Sequence, residues 1–247
     1  MLFEFSILQI VLIVLIFIWS GFVRSGLGFG GAALGLPLML LVYNQPVFWL
    51  PVIGAHLLFF SALTLRTRLK NVSWHYLLRS MMIIVPTTIA GVFGLISLPN
   101  HILLIFIYSV TLFYAVMWMF SITIHSNNRW VDRFLLALGG YIAGTSLSGA
   151  PLIVAVYMRN IALQQLRNTL LMLWFVLVSI KMSTFVAFGI DLQLDSALLL
   201  MPVAAIGHVI GLKMHDVILQ NDAFFKRIVG AVLLIICLFG LWKVLNN

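Results

Sequence analysis

Apolar runs of roughly 18 residues or more, almost free of charge, recur from end to end of this chain, and each is long enough to cross a hydrocarbon core of about 30 Å as a helix. Hydrocarbon offers the backbone no hydrogen-bond partner, so a segment spanning it must satisfy its own N–H and C=O groups. The expected fold class is therefore an all-α polytopic membrane protein. Composition agrees: 63% of the 247 residues are hydrophobic and 8% are charged, too few polar groups to cover a soluble domain. The first run, Leu2 to Trp19, carries Glu4 where a signal peptide has a basic region, and no small-residue cleavage site follows it. It is expected to stay in the membrane. The single cysteine, Cys237, excludes an internal disulfide, a dithiol relay and a cysteine-rich metal centre.

Two glycine-rich breaks interrupt the apolar pattern, at Ser25 to Gly31 and at Gly144 to Pro151. Around them the pattern predicts clean helices at 47–65, 76–97 and 101–123, then at 167–189, 194–213 and 224–245. Loop charge orients these spans, because Lys and Arg collect on the cytoplasmic side. Arg66, Arg68, Lys70 and Arg79 mark one cytoplasmic connection, whereas Ser97 to Asn100 carries no basic residue and is expected outside. Arg129, Arg133, Arg159 and Arg167 are again cytoplasmic, the turn with Asp191 and Asp195 is outside, and Lys213, Lys226 and Arg227 return inside. Residues 5–43 and 131–158 then each begin and end on one side, so each is expected to be a broken hairpin. The chain reads as two repeats of opposite orientation, 1–125 and 126–247, each a hairpin plus three helices. Both termini are expected in the periplasm. Gly21-Phe22-Val23 against Gly140-Tyr141-Ile142, and Pro86 with Gly91 against Pro202 with Gly207, are the internal matches. That plan is the inverted-repeat design of many secondary transporters.

The breaks carry the expected chemistry. Irregular backbone at membrane depth is tolerated where protein or a watery cavity satisfies it. A half-helix starting after a glycine turn aims free N–H groups and the positive end of its dipole at the break, which suits an anion. The candidate binding residues are Arg24, Ser25, Gly28, Gly30 and Gly31 at the first break, Ser146, Ser148 and Gly149 at the second, and Lys181 in mid-span, where a charge costs upwards of about 2.5 kcal/mol. His56 and His208 lie within spans and are candidates for lining the route or carrying a proton. Gly26, Gly28 and Gly31 also spell G-x-G-x-x-G. The strand before it and the acid about 20 residues after it that a dinucleotide site needs are both missing. The glycines alternatively serve close helix packing, through the small-x-x-x-small spacing of Gly26 with Gly30 and Gly31 with Gly35; Gly207 with Gly211 reads as packing alone.

The chain resembles the sulfite exporter TauE/SafE family of membrane permeases over nearly its whole length. The resemblance rests on Gly21 to Gly31 running on to Gly35-Leu36-Pro37, on Gly140 to Gly144 continuing through Ser148-Gly149-Ala150-Pro151, and on Gln165 to Leu170. It departs from the family pattern at Ala150-Pro151, where many relatives look like Gly-Pro-Pro, and at Ser25, where glycine is frequent. The resemblance implies export of sulfite, a sulfonate such as sulfoacetate, or a related small anion across a bacterial inner membrane; the chemistry of the breaks places the expected ligand between them.

The six acids, Glu4, Asp132, Asp191, Asp195, Asp216 and Asp222, all lie at or near segment ends, so no carboxylate is expected in mid-membrane for coupling. Export of an anion does without one, since each negative charge leaving a negative cytoplasm gains about 2.3 kcal/mol per 100 mV. No metal, cofactor or catalytic residue is expected, and no motif of a membrane enzyme is present. The net charge of +8 sits mainly in short loops with no aromatic interleaving, which argues against nucleic acid. Expected partners are the small anion and membrane lipid, and a homodimer is left open. The alternatives are another organic anion or sulfur compound, moved outward or inward, and a membrane-embedded enzyme.

Overall fold

The computed structural model describes residues 5–27, 30–122, 124, 128–220 and 222–246, apart from the side chains of Asp216, Leu219 and Asp222. The described residues form helices α1 (Ile7–Leu27), α2 (Gly31–Val42), α3 (Pro46–Leu65), α4 (Trp74–Ser97), α5 (Asn100–Met119), α6 (Arg129–Ser146), α7 (Ala150–Asn160), α8 (Leu163–Ala187), α9 (Leu194–Gln220) and α10 (Asp222–Leu245), with no strand among them. Seven of the described helices are long and apolar enough to cross a membrane: α1, α3, α4, α5, α8 and the greater parts of α9 and α10. The protein is thus an all-α, multi-pass membrane protein.

Several ends differ from those read off the sequence, among them the start of α8 at Leu163 rather than 167. Helix α5 stops at Met119 because Ser121 turns into the left-handed region at φ 53°, while α9 continues past residue 213 to Gln220. Local chemistry explains others. Asn128 caps α6 by accepting from the Trp130 amide at 2.9 Å, with Asp132 in the first turn favoured by the helix dipole. Helix α8 ends in a turn closed by Gly189 at φ +67°.

The chain forms two compact units, and neither is a simple half of the sequence. Unit 1 comprises Met1–Val52, Leu98–Thr123 and Gln193–Asn247; unit 2 comprises Ile53–Ser97 and Ile124–Leu192.

In unit 1, α1 and α9 run parallel with their backbones in contact. A Cβ at Gly21 would overlap the Ala204 carbonyl oxygen, one at Gly207 that of Ile18, and one at Gly211 that of Phe22. Helix α10 runs antiparallel to α5, with Gly230 on the Ala115 carbonyl and Gly240 on the Tyr108 ring. Val23, Leu27, Leu34, Ala115, Ile218, Val229 and Leu233 form the apolar core where these helices meet. Helix α2 folds back on α1, so that Gln9 Nε2 donates to the Val42 carbonyl at 3.3 Å and Ser20 Oγ to that of Gly31 at 3.0 Å.

Unit 2 repeats that contact with different helices. Helices α4 and α6 run parallel, with Gly140 against the Ile84 carbonyl, Gly144 against that of Thr88 and Gly91 against that of Tyr141. Thr88 Oγ1 donates to the Gly140 carbonyl at 3.1 Å and Thr145 Oγ1 to that of Gly91 at 3.2 Å. Helix α8 runs alongside α4 in the same direction, tied by the Ser73 amide to Thr169 Oγ1 at 3.0 Å near one end and by Phe93 against Phe188 at 5.6 Å near the other. Helix α7 folds back on α6, its last turn held by Arg159 Nη2 to Asp132 Oδ1 at 2.5 Å. By its contacts Gly91 is the counterpart of Gly211, which faces Phe22, Ser25 and Gly26 as Gly91 faces Tyr141, Gly144 and Thr145.

Candidate functional site: two helix breaks

In unit 2, α6 ends at Ser146, Leu147 turns the chain at φ 59°, and α7 starts at Ala150 with Gly149 as its cap and Pro151 in its first turn. Pro151 has no N–H to leave unpaired and its ring is pre-set for a helix start. Gly149 is required by space, since a Cβ there would overlap the Gly139 carbonyl oxygen and approach the Ala143 amide to 2.8 Å. Thr145, Ser146 and Ser148 are buried.

Lys181, on α8, reaches into this break. Its side chain is 1% exposed, and Nζ donates to the Gly144 carbonyl at 2.7 Å and the Thr145 carbonyl at 3.3 Å, lying 5.8 Å from the centre of the Phe185 ring. The Lys181 amine thus sits on the last carbonyls of α6, the negative end of its dipole. The hydroxyls of Ser146 and Ser148 are turned onto backbone, donating to Ile142 O at 3.1 Å and Ser146 O at 3.2 Å. Their protons are engaged locally, and the donors that face no helical acceptor are the first amides of α7.

In unit 1, α1 ends at Leu27 and α2 begins at Gly31. Gly28 lies outside the described residues. Gly30 takes φ +83° with open space where a Cβ would go, so its requirement is conformational, whereas a Cβ at Gly31 would come within 2.8 Å of the Ser20 carbonyl oxygen and of Arg24 Cβ. Arg24, 7% exposed, and Ser25 are buried in the last turns of α1. Ser25 Oγ is hydrogen-bonded to Nδ1 of His208 on α9. One helix turn beyond Gly211, His215 Nδ1 lies 2.6 Å from the Gly26 carbonyl oxygen; a carbonyl accepts, so His215 donates. His56, in unit 2, is buried on α3 with its ring edge-on to Phe60.

The structure therefore groups Lys181 with Gly144, Thr145 and the Ser146–Gly149 turn, and separately groups Arg24, Ser25, His208 and Gly31. His215 was missed, because a helix ending at residue 213 leaves it in a loop. His208 and His215 are seven residues apart, two turns of helix, so a longer α9 puts both on the face that meets α1. Among the described residues no group of three or more His, Cys, Asp or Glu could hold a metal.

The chain is a multi-pass helical protein with the buried Lys181 amine against one helix break and a second break of related build. The sequence profile of the family described as sulfite exporter TauE/SafE matches residues 13–240, and the chain belongs to that family. No curated protein and no solved structure shows significant similarity to it. The family is one of transporters for sulfite and related sulfur anions in general.

Proposed function

We propose that this protein exports a small sulfur oxyanion, sulfite or an organosulfonate, across a bacterial inner membrane, and that the second break binds it. The observation that carries this reading is the buried Lys181 amine held against the end of α6, at the break that α7 follows. An anion entering there favours the protonated amine as its counter-charge and meets the first amides of a helix, in surroundings that screen little. Two of the three ammonium protons rest on the α6 carbonyls, which leaves one for a ligand. Ser146 and Ser148 can add donors by rotating off backbone. At the first break Arg24, Ser25, Gly28, Gly30 and Gly31 form a second recognition element, with His208 and His56 as proton-carrying candidates along the route.

Counterflow into proteoliposomes tests cargo and direction. Vesicles loaded with sulfite should exchange it for sulfite, sulfoacetate and other sulfonates, and an inside-negative potential should speed efflux. Exchange of carboxylates of equal size at the same rate, or no response to sulfite, would reject the assignment.

The reading includes two inverted repeats, 1–125 and 126–247, with both termini periplasmic. Its support is the agreement of helix directions: loop charge alone makes α1 and α9 run the same way, α4, α6 and α8 the same way, and α5 opposite to α10, and the contacts within each unit have those senses. Cysteines placed at Ser6 and Asn246 should react with an impermeant maleimide added to intact cells. Cys237 is buried, so background is low. Labelling only after the membrane is opened would mean the topology is reversed.

A further inference from the structure

Unit 2 holds a cavity of about 290 Å³ near the start of α6, lined by Tyr76 and Arg79 of α4, Arg129, Asp132 and Arg133 of α6, and Asn160 of α7. Its charge is lopsided. Asp132 is held by Arg159, whereas Arg79, Arg129 and Arg133 form no ion pair among the described residues. Three arginines thus line one concavity, and each guanidinium is a planar fork suited to two oxygens of an oxyanion. Tyr76 and Asn160 add neutral polar groups to the same wall.

What surrounds the cavity distinguishes it from a water-facing mouth. On α6, Trp130 (72% exposed), Phe134 (63% exposed) and Leu138 recur every fourth residue and so share one face; on α4, Leu78 and Met82 do the same. Both apolar stripes start beside the arginines and run toward the middle of their helices. The Arg133 guanidinium lies 4.9 Å from the Trp130 ring centre, an arrangement suited to the headgroup level of a bilayer.

We propose that this cavity is a binding site for the phosphate headgroup of an anionic phospholipid, with the acyl chains lying along the α6 and α4 stripes. Basic pockets flanked by membrane helices on the cytoplasmic side, where loop charge puts this end, are suited to such headgroups. The site is separate from the break that holds Lys181 and does not depend on which anion is transported.

The test measures binding of fluorescent phosphatidylglycerol and phosphatidylcholine to the purified full-length protein in detergent. Each arginine near a headgroup contributes about a fivefold preference, so the wild type should favour phosphatidylglycerol by at least roughly tenfold. The triple variant R79Q/R129Q/R133Q should lose that preference, and R79K/R129K/R133K should keep most of it. R66Q/R68Q/K70Q, which removes as much charge from a loop outside the cavity, should bind like the wild type. The proposal is overturned if the wild type shows no preference, if the glutamine triple retains it, or if the loop triple loses it equally. It is overturned as well if sulfite or inorganic phosphate displaces the lipid where chloride at equal ionic strength does not, since the pocket would then serve a soluble anion.

Discussion

Lys181→Met is expected to lower sulfite transport in proteoliposomes by roughly ten- to a hundredfold, the loss of one charge-assisted hydrogen bond worth about 1.5–3 kcal/mol. Its effect on folding should be smaller than on transport, because two opposing terms change together. The Gly144 and Thr145 carbonyls lose their donor, which destabilises, while the burial cost of an ammonium disappears. A purely structural lysine would behave differently, with transport per folded molecule unchanged. Lys181→Arg should not restore activity, because the larger guanidinium has to fit where the side chain is 1% exposed. Transport and thermal unfolding measured on the same preparations separate the two outcomes. Wild-type transport by folded Lys181→Met protein would remove the residue from the site.

The largest expected loss of folded protein comes from the glycines that bring backbones together. Gly207→Ala and Gly144→Ala each place a methyl inside a carbonyl oxygen of the adjacent helix, Ile18 in one unit and Thr88 in the other. Neither neighbour is a flexible side-chain end, so whole helices must separate, and a cost at or above the usual range of about 1–3 kcal/mol for overpacking is expected. Gly94 is the built-in comparison: its nearest neighbour is the Tyr141 hydroxyl at 3.1 Å, which can move, so Gly94→Ala should be mild. Gly30 separates conformation from space. With open room but φ +83°, Gly30→Leu should cost about 1–2 kcal/mol and Gly30→Asn much less. Thermal unfolding of the five variants should rank Gly207→Ala and Gly144→Ala well below the rest; near-wild-type stability for those two would mean that the helices are not in backbone contact.

Much of the fold was legible because lipid simplifies the code. Run length gave α3, α4, α8 and α10 to within a few residues, since a helix that crosses hydrocarbon has no polar neighbour to shift its ends. The end of α9 was not legible: Lys213 reads as a loop charge, yet the helix carries it two turns further. The breaks were visible as glycine clusters, and Lys181 as a charge where none should be. Its acceptors were not, because nothing in the sequence joins residue 181 to two carbonyls at 144 and 145. The arginine-lined cavity was missed for a related reason. Arg79, Arg129 and Arg133 each do the ordinary work of orienting a helix, and they become one site only when α4, α6 and α7 are laid side by side.

The clamping of α1 by α9 also sets an order in time. Ser25 and its partner His208 are separated by 183 residues, and at about 5–20 residues per second the ribosome takes roughly 10–40 seconds to make that stretch. Unit 2 has all its segments once Leu192 is made, while unit 1 must wait for Gln193–Asn247. Throughout that wait the face of α1 that carries Gly21, Ser25 and Gly26 lacks the cover of α9, so α1 stands beside α2 long before the partner of its glycine face exists.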